Sequence, residues 1–556
     1  MGKKVLVIGL DGATWDLIKP WADKGELPTF KKLMEGGVWG ELESAIPPLS
    51  CPAWLSVVTG KNPGKLGTYD FLIYDSNDYS THPVNPKFFE GKGIWDMLSC
   101  QEIRVGVVNV PMSTPHPLNG FIVSGMFTPN EDEYVYPPEL KAKLNDIADQ
   151  YELDITQFDY SNEGKFIEDV YRILDKRKKV VEYLMDTQDR DFLMVVFTTP
   201  DRIQHFLWKY IDPKHPLHDT GKAQKYKDAI KDFWQRIDQI LRKLIEKSDN
   251  ETNVIIISDH GFGTHDMVFY VNDWLKEQGY LRLKQKEKSF LTKLGFFSES
   301  ISSLLKKLRL YGFVIPLIPK RLRNLVPSKY PSFERMKDKI DWEHTKAYSA
   351  PHSIGCEQIY INLRGCKPYG SIELKEYETT RAEIIEKLRR LQYPQTNKQM
   401  KVEVFKPEEI YVGDYVNKAP DILYLIEQLR CVSDKSFGHQ SIFEKTSINP
   451  RQNASHRTNG IFLAYGPDIK KSYKIENAKI YDIVPTILHI FGLPIPNDVD
   501  GRILNEIFKE DSQIAKRKPR FITPDYRKEG QEEQGEFSKE DAKRVKERLR
   551  ALGYLD

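Results

Sequence analysis

The sequence predicts an α/β protein in which a mostly parallel sheet carries helices on both faces. Continuous apolar runs are typical of parallel strands that are buried on both faces, and they occur at residues 5–10, 104–110, 192–197 and 254–258. Helical patterns lie between these runs, for example at 168–185 and 226–247. Because strands and helices alternate along the chain, we expect a layered α/β sheet.

The first run, residues 5–10, ends in Asp11-Gly12, and the pattern predicts that a helix follows it. A second helix is predicted at 28–35, opened by Pro28. In open α/β sheets, ligands bind at the carboxyl ends of the strands. Asp11 follows the first run, Asp201 follows the third and Asp259-His260 follows the fourth. The sequence therefore predicts an active site at this edge of the sheet.

The composition is that of a globular chain that is long for one ordinary domain: 556 residues, 40% hydrophobic and 29% charged. The formal net charge of +2 gives no global field that favours nucleic acid. Five scattered cysteines without a CxxC pair favour reduced thiols over a disulfide framework or a cysteine-based zinc ribbon. The apolar runs are too short for a signal peptide or a membrane span, so we expect a cytoplasmic protein.

One segment differs in composition. Residues 282–329 hold twelve Lys or Arg and two Glu, a local net charge of +10, which leaves about −8 for the remainder. Four apolar residues repeat there at helical spacing, namely Ile301, Leu304, Leu305 and Leu308. We interpret the segment as an inserted basic amphipathic lid. A solvated helical hairpin packed on the core is the alternative, and peripheral contact with a membrane surface stays open.

These patterns divide the chain into three parts. Residues 1–281 and 346–526 are predicted to form a discontinuous catalytic core, and residues 282–345 the basic helical insertion. Residues 527–556 form a charged tail with a final helix at 539–552.

Candidate metal ligands lie at four places in the chain. Asp201 and His205 are four residues apart and share one face if this stretch is helical. Asp259-His260 ends a very apolar run, and His456 lies in a loop before another such run. A DxxxH pair on a helix is more often a surface pair than a ligand set. With Asp11, however, these positions supply three aspartates and three histidines, enough for two metal ions.

Ser50 is the candidate nucleophile. It precedes Pro52 and a predicted helix at 52–59, and the N-terminus of a helix attracts an anion. Helix N-capping is the commoner role for a serine at such a position, so the local sequence leaves both roles open. Cys51 is a rival nucleophile, but we expect it to point into the core.

The ordered set Asp11, Ser50-x-Pro52, Asp201-x-x-x-His205, Asp259-His260-Gly261 and His456 resembles the alkaline phosphatase superfamily. It is most similar to the phosphodiesterase/nucleotide pyrophosphatase-like branch, and within it to prokaryotic predicted phosphohydrolases or phosphomutases. Further matching pieces are PAWLSVVTGKNPGKLG, DHGFG, QIYINLRG and VDGRIL. The resemblance covers residues 5–507 apart from the basic insertion, and it implies an alkaline-phosphatase-like fold.

The resemblance implies a role for each matching residue. Asp201, His205 and His456 would hold one metal, while Asp11, Asp259 and His260 would hold a second, with Ser50 as a further ligand. Ser50 would attack phosphorus and form a phosphoseryl enzyme, which water then hydrolyses. Two divalent ions are therefore expected. Zinc is the usual metal of the family, and manganese is the alternative, because Asp and His ligands do not discriminate between them.

The chain departs from the family pattern near the nucleophile. Ala53 stands where many relatives have an asparagine that holds the phosphate, so Lys61 and Lys65 become candidate phosphate contacts. Two further histidines, His265 and His352, are candidate substrate contacts. Sulfatases need an arginine where this chain has Trp54, which argues against sulfatase maturation.

Hydrolysis of a phosphate mono- or diester is the leading interpretation. A phosphomutase, or a transferase of a phospho-headgroup to a glycan or lipid, could use the same site. A binding protein on a degenerate scaffold is disfavoured by the complete ligand set. The expected partner is a phosphorylated small molecule, a nucleotide or a lipid or glycan headgroup, and the oligomeric state stays open.

Overall fold

The computed structural model describes residues 3–75, 77–128, 133–155, 162–284, 337–350, 353, 355, 357–436, 438–445, 453–524 and 537–552. Most of the predicted basic insertion, including the helical pattern at 301–308, lies outside the described residues. His352 and most of the segment that links the core to the C-terminal helix also lie outside them.

The helices and strands are numbered in chain order. The strands are β1 (Lys4–Leu10), β2 (Val38–Glu43), β3 (Leu72–Tyr74), β4 (Thr81–Pro83), β5 (Val105–Val108), β6 (Gly120–Val123), β7 (Val135–Tyr136), β8 (Phe192–Phe197), β9 (Thr252–Ile257), β10 (Gly261–Thr264), β11 (Met267–Tyr270), β12 (Ala347–Tyr348), β13 (Gln358–Ile361), β14 (Val402–Phe405), β15 (Ile422–Ile426), β16 (Cys431–Asp434), β17 (Phe443–Glu444), β18 (Ala454–Arg457), β19 (Asn459–Tyr465), β20 (Tyr473–Lys479), β21 (Ile495–Pro496) and β22 (Phe521–Ile522). The helices are α1 (Trp15–Asp23), α2 (Pro28–Gly36), α3 (Ser50–Thr59), α4 (Pro63–Leu66), α5 (Ile94–Ser99), α6 (Leu140–Ala148), α7 (Glu163–Thr187), α8 (Thr199–Ile211), α9 (Thr220–Tyr226), α10 (Ala229–Glu246), α11 (Val271–Glu277), α12 (Leu374–Arg389), α13 (Pro407–Ile410), α14 (Ile483–Phe491), α15 (Gln513–Lys516) and α16 (Lys539–Ala551).

A nine-stranded sheet forms the centre of the molecule, in the order β20-β2-β19-β9-β1-β8-β5-β6-β7. Its middle strands β9, β1, β8, β5 and β6 run parallel to one another, and β19 and β7 run antiparallel to their neighbours. The predicted α/β class with a mostly parallel sheet is therefore confirmed. Because β1, β8 and β9 are parallel neighbours, the residues that follow them lie side by side at one edge.

Helices cover both faces of this sheet. Alternate residues of β1 point to opposite sides: Leu6 and Ile8 pack against one helical layer, and Val5 and Val7 pack against the other. The first layer contains α2, α7, α8 and α10, and the second contains α3, α5 and α14. This double cover explains why the central strands are continuous apolar runs.

A second sheet of seven strands lies beside the central one, in the order β12-β13-β15-β16-β11-β17, with β14 paired to β15. The ends of the basic insertion meet next to it, since Leu283 bridges to Ile340 and the Lys284 amide donates to the Lys339 carbonyl. The described residues on either side of 285–336 are therefore hydrogen-bonded neighbours. In the described part of the chain, no helix has the length and apolar character to cross a membrane.

Most predicted elements agree with the structure to within a few residues. The predicted strand at 192–197 coincides with β8, and the predicted terminal helix at 539–552 differs from α16 by one residue. The single helix predicted at 226–247 is wrong at its start, because α9 ends at Tyr226 and α10 begins only at Ala229.

Candidate metal centre

Helix α8 begins directly after β8 and presents two of the predicted ligands. Pro200 stands in its first turn, where a missing amide N–H costs nothing. Asp201 and His205 then lie one turn apart on the buried face, with His205 Nε2 3.2 Å from Asp201 Oδ1. The predicted helical placement of this pair is confirmed.

A short antiparallel pair of strands adds the third ligand. β10 and β18 pair Phe262 with His456, which places His456 Nε2 3.4 Å from Asp201 Oδ1 and 3.1 Å from His205 Nε2. The other ring nitrogens face backbone carbonyls: His205 Nδ1 lies 2.8 Å from the Ala454 oxygen, and His456 Nδ1 lies 2.8 Å from the Pro48 oxygen. A carbonyl beside Nδ1 selects the tautomer whose Nε2 lone pair is free to bind a metal.

A second group of ligands follows β1 and β9. His260 Nε2 lies 3.6 Å from Asp11 Oδ1 and 3.3 Å from Asp259 Oδ2. Two sets with ligand atoms within 4.8 Å of one another occur among the described residues, namely Asp201, His205 and His456, and Asp11, Asp201 and His260. Asp201 thus belongs to both sets. Asp259 belongs to neither, but its Oδ2 lies 3.3 Å from Nε2 of His260, a member of the second set. The family resemblance in the sequence implied that Asp201 would bind only one metal, together with His205 and His456.

Burial and mutual repulsion make this cluster costly without a cation. Burial, together with the nearby carboxylates, raises the pKa of Asp11 and of Asp259 well above the ordinary range. Burial also raises the pKa of Asp201, but His205, His456 and Arg202 outweigh it and leave that pKa well below the ordinary range. Burial lowers the pKa of His260 and of His456, which keeps both imidazoles neutral. Crowded carboxylates beside neutral imidazoles fit divalent cations.

Ser50 is the first residue of α3 and lies within this cluster. Its Oγ is 3.4 Å from Asp11 Oδ1 and 3.3 Å from His260 Nε2, and the residue is fully buried. Leu49, and not Ser50, occupies the N-cap, so N-capping is not the role of this serine. Within the described part of the chain, the amide N–H groups of Ser50 and Cys51 have no hydrogen-bond acceptor. Two donors at the positive end of a helix therefore stand beside the Ser50 hydroxyl.

Three further residues form hydrogen bonds to the candidate ligands. The sequence analysis did not assign any of them to the site. Trp54 Nε1 donates to Asp11 Oδ2 at 3.1 Å, and Arg202 Nη1 donates to Asp201 Oδ2 at 2.8 Å. Asn453 ties the His205 turn of α8 to β18, since its backbone N–H donates to the His205 carbonyl at 2.9 Å. Trp54 and Arg202 lie within four residues of Ser50 and Asp201, which is the one signal in the sequence that could have singled them out.

The remaining predicted contacts lie apart from the ligand groups. Lys61 Nζ pairs with Asp498 Oδ2 at 2.6 Å, and Lys65 Nζ pairs with Asp500 Oδ1 at 2.6 Å, beyond the far end of α3 from Ser50. His265 is buried, and this burial, with the nearby His215 and His205, lowers its pKa to about 3. Cys51 is fully buried, as predicted.

Comparison with known proteins adds the following. Residues 5–461 match the family described as type I phosphodiesterase / nucleotide pyrophosphatase. No curated protein matches the chain. Among solved structures, human ectonucleotide pyrophosphatase / phosphodiesterase 5 is 14% identical, with a TM-score of 0.47 over 88% of this chain and 95% of that chain. The murine protein of the same name is also 14% identical, with a TM-score of 0.46 over 91% of this chain and 100% of that chain.

Proposed function

Because the chain belongs to the type I phosphodiesterase / nucleotide pyrophosphatase family of the alkaline phosphatase superfamily, we propose that it is a metal-dependent phosphohydrolase acting through a phosphoseryl intermediate on Ser50. Its substrate is a phosphate mono- or diester of a small molecule, a nucleotide or a lipid or glycan headgroup. The observation that carries the proposal is the position of Ser50 Oγ, within 3.4 Å of Asp11 and 3.3 Å of His260 in a cluster of buried ligands.

The residues for two cations are at hand. Asp201, His205 and His456 would hold one, and Asp11, Asp259 and His260 the other, with Ser50 beside it and Asp201 close to both. Bound divalent cations would supply Lewis acidity, which lowers the pKa of the Ser50 hydroxyl and neutralises charge on the phosphate. We propose zinc, with manganese as the alternative, since the Asp and His donors suit both.

The chain's own groups then position the phosphate. The Ser50 and Cys51 amides can each donate to a phosphate oxygen, which supplies the contact that Ala53 cannot make. After losing its proton to solvent, Ser50 Oγ forms a bond to phosphorus while the bond from phosphorus to the leaving oxygen breaks. The leaving alkoxide takes a proton from water. A second water then adds its hydroxyl to phosphorus, the Oγ–phosphorus bond breaks, and Ser50 regains a proton.

Transfer to an alcohol in place of water is the second candidate function, as in a phosphomutase or a phospho-headgroup transferase. It is favoured by the enclosure of the site, where Ser50 is 0% and Asp11 1% exposed, because a transferase must keep water away from its phosphoseryl group. Sulfatase activity is disfavoured, since Trp54 stands in place of the required arginine and its indole N–H is used on Asp11. We place the protein in the cytoplasm, where peripheral membrane contact through the basic insertion is an additional proposal.

The test is a panel of p-nitrophenyl phosphate, bis-p-nitrophenyl phosphate and p-nitrophenyl sulfate, assayed with zinc or manganese. We expect turnover of a phosphate ester by the wild type, and a loss of about a thousandfold or more in Ser50→Ala with its metal content intact. Ser56→Ala is the matched control, because Ser56 is a buried serine of the same helix that lies outside the ligand cluster.

Acid quenching during turnover should trap one phosphoryl group on Ser50. Adding glycerol separates the two functions, since a transferase forms glycerol phosphate and a hydrolase releases inorganic phosphate. Full turnover by Ser50→Ala, or activity on the sulfate alone, would contradict the proposal.

A further inference from the structure

The C-terminal helix α16 contributes to the apolar cluster that includes the start of the nucleophile helix. Its buried residues Val545 and Leu549 share one apolar cluster with Leu49 and Cys51, which flank Ser50. The helix is capped by Ser538, whose hydroxyl accepts from the Asp541 amide. Although α16 lies about 80 residues beyond the end of the family match at residue 461, it therefore belongs to the same apolar cluster as the segment that carries the nucleophile.

One side chain of α16 reaches further. Arg548 is 8% exposed, and its Nη1 donates to the Met126 carbonyl at 2.7 Å and to the Thr128 carbonyl at 2.8 Å. Burying a guanidinium is costly, so two carbonyl acceptors hold it in one orientation. Arg548 thereby fixes the loop that follows β6.

The same loop contacts Arg202. Met126 Sδ accepts from Arg202 Nη2 at 3.4 Å, and that nitrogen also donates to Asp154 Oδ2 at 3.1 Å. The other terminal nitrogen of Arg202 donates to Asp201 Oδ2 at 2.8 Å. Arg202 is 3% exposed, so its orientation is set by these contacts and not by water.

The last contact decides which oxygen of Asp201 faces the metal ligands. With Oδ2 bonded to Arg202, Oδ1 is the oxygen that lies 3.2 Å from His205 Nε2 and 3.4 Å from His456 Nε2. Groups that orient a carboxylate ligand in this way contribute to metal affinity. A continuous series of contacts thus runs from Arg548 through Met126 and Arg202 to Asp201.

We propose that α16 is a positioning element of the metal centre, in which Arg548 holds residues 126–128 against Arg202 so that Arg202 orients Asp201. The inference rests on the proposed function only in requiring that the centre binds divalent metal. Arg548 is a positioning residue, because it acts on Asp201 through Met126 and Arg202.

The test compares zinc binding by full-length variants, measured by competition with a chromophoric chelator. Arg548→Ala should weaken zinc binding about tenfold, the lower end of what loss of an outer contact costs. Arg548→Lys, which keeps a donor near both carbonyls, should recover part of that loss. Arg544→Ala is the matched control: it removes an arginine of the same helix that is half exposed and pairs with Glu540, and it should bind zinc as the wild type does.

Cobalt substitution gives a second readout. The visible absorption of Co²⁺ reports ligand geometry, so Arg548→Ala should alter the spectrum whereas Arg544→Ala should not. If Arg548→Ala fails to fold, Arg548→Met replaces it, because methionine keeps much of the apolar length of the side chain but cannot donate to the Met126 and Thr128 carbonyls.

The outcomes separate the two proposals. A wild type that binds no divalent metal would contradict the proposed function. A wild type that binds zinc, with a folded Arg548→Ala of equal affinity and unchanged cobalt spectrum, would overturn the inference about α16 alone.

Discussion

The indole Nε1 of Trp54 donates a hydrogen bond to Asp11 Oδ2 at 3.1 Å, while Ser50 Oγ lies 3.4 Å from the other oxygen of the same carboxylate. Trp54 stands one helical turn after Ser50, so α3 both presents the proposed nucleophile and holds a proposed metal ligand. Trp54, which in the sequence argues against sulfatase maturation, thus orients the Asp11 carboxylate in the structure.

Trp54→Phe should weaken metal binding about tenfold and lower kcat, because Asp11 loses the donor that orients it. Metal titration of the folded apoprotein measures the first effect. Trp95→Phe is the control, since Trp95 is buried in the same apolar cluster but its indole N–H has no hydrogen-bond partner among the described residues. Equal metal affinity in the two variants would show that the Trp54–Asp11 bond is dispensable.

Asn453→Ala should both destabilise the protein and weaken metal binding. The Asn453 side chain accepts from the Lys209 amide at 3.1 Å and donates to the Phe206 carbonyl at 2.9 Å. Removing it takes one hydrogen bond from each of these two backbone groups of α8, at a cost of about 0.5–1.5 kcal/mol per bond, and loosens the turn that carries His205.

Asn362→Ala is the matched control for that variant. Asn362 also satisfies buried carbonyls, those of Trp342, Thr345 and Tyr369, but beside the second sheet. It should lower the melting temperature without changing metal affinity. If Asn453→Ala behaves in the same way, the side chain of Asn453 has no role in positioning His205.

Removal of metal should destabilise the protein more at high pH than at low pH. The pKa values of Asp11 and Asp259 are raised in the metal-free fold, so their contribution to stability is present at low pH and is lost as pH rises through those values. A bound cation binds the ionised carboxylates and so offsets this loss of stability. The stabilisation is about 4 kcal/mol when the free metal concentration is a thousand times Kd.

The measurement is the melting temperature with and without a chelator between pH 5 and 8. The difference should widen as pH rises, and added zinc should restore the original value. An identical melting temperature in both conditions at pH 8 would argue against a metal at this centre.

Glu357→Gln should flatten the pH dependence of stability near neutrality. Glu357 is buried in the second sheet, where burial raises its pKa to about 7 although the Ser433 amide donates to it. Its folded pKa lies above the unfolded value of about 4.3, so its contribution to stability is lost as pH rises from about 4 to 7.

Chemical denaturation at pH 5 and pH 8 tests this. The wild type should lose on the order of 3 kcal/mol more than Glu357→Gln between the two values, which is the free energy of such a shift. Parallel pH profiles for the two proteins would mean that Glu357 is already ionised at pH 5.

Lys61→Ala and Lys65→Ala should leave catalysis unchanged. Both lysines pair with aspartates near the turn at residues 498–500, with side chains only 16% and 23% exposed, so each substitution should cost up to about 1 kcal/mol of stability. We expect KM within about twofold of the wild type, since a phosphate contact would be worth more. A tenfold rise in KM would restore the sequence-based assignment of these lysines to the substrate.

The sequence by itself determined the α/β class, the order of the central strands along the chain and the set of candidate ligands. Apolar periodicity is a local property, so the runs that became β1, β8 and β9 are visible without the fold. Most of the candidate ligands were also visible in the sequence, because they follow the carboxyl end of a strand or stand one helical turn from such a residue. His456 is the exception, since it lies within β18 and not in the predicted loop.

Only the tertiary structure decided what each polar residue does. Ser50 could be a cap or a nucleophile by sequence, and its distance from Asp11 and His260 depends on how α3 packs against the sheet. Lys61 and Lys65 form ion pairs with aspartates more than 400 positions later in the chain. Arg548 is linked to Asp201 through two other residues, Met126 and Arg202. Such contacts link distant segments through packing and strand register, which leave no periodic signal in the chain.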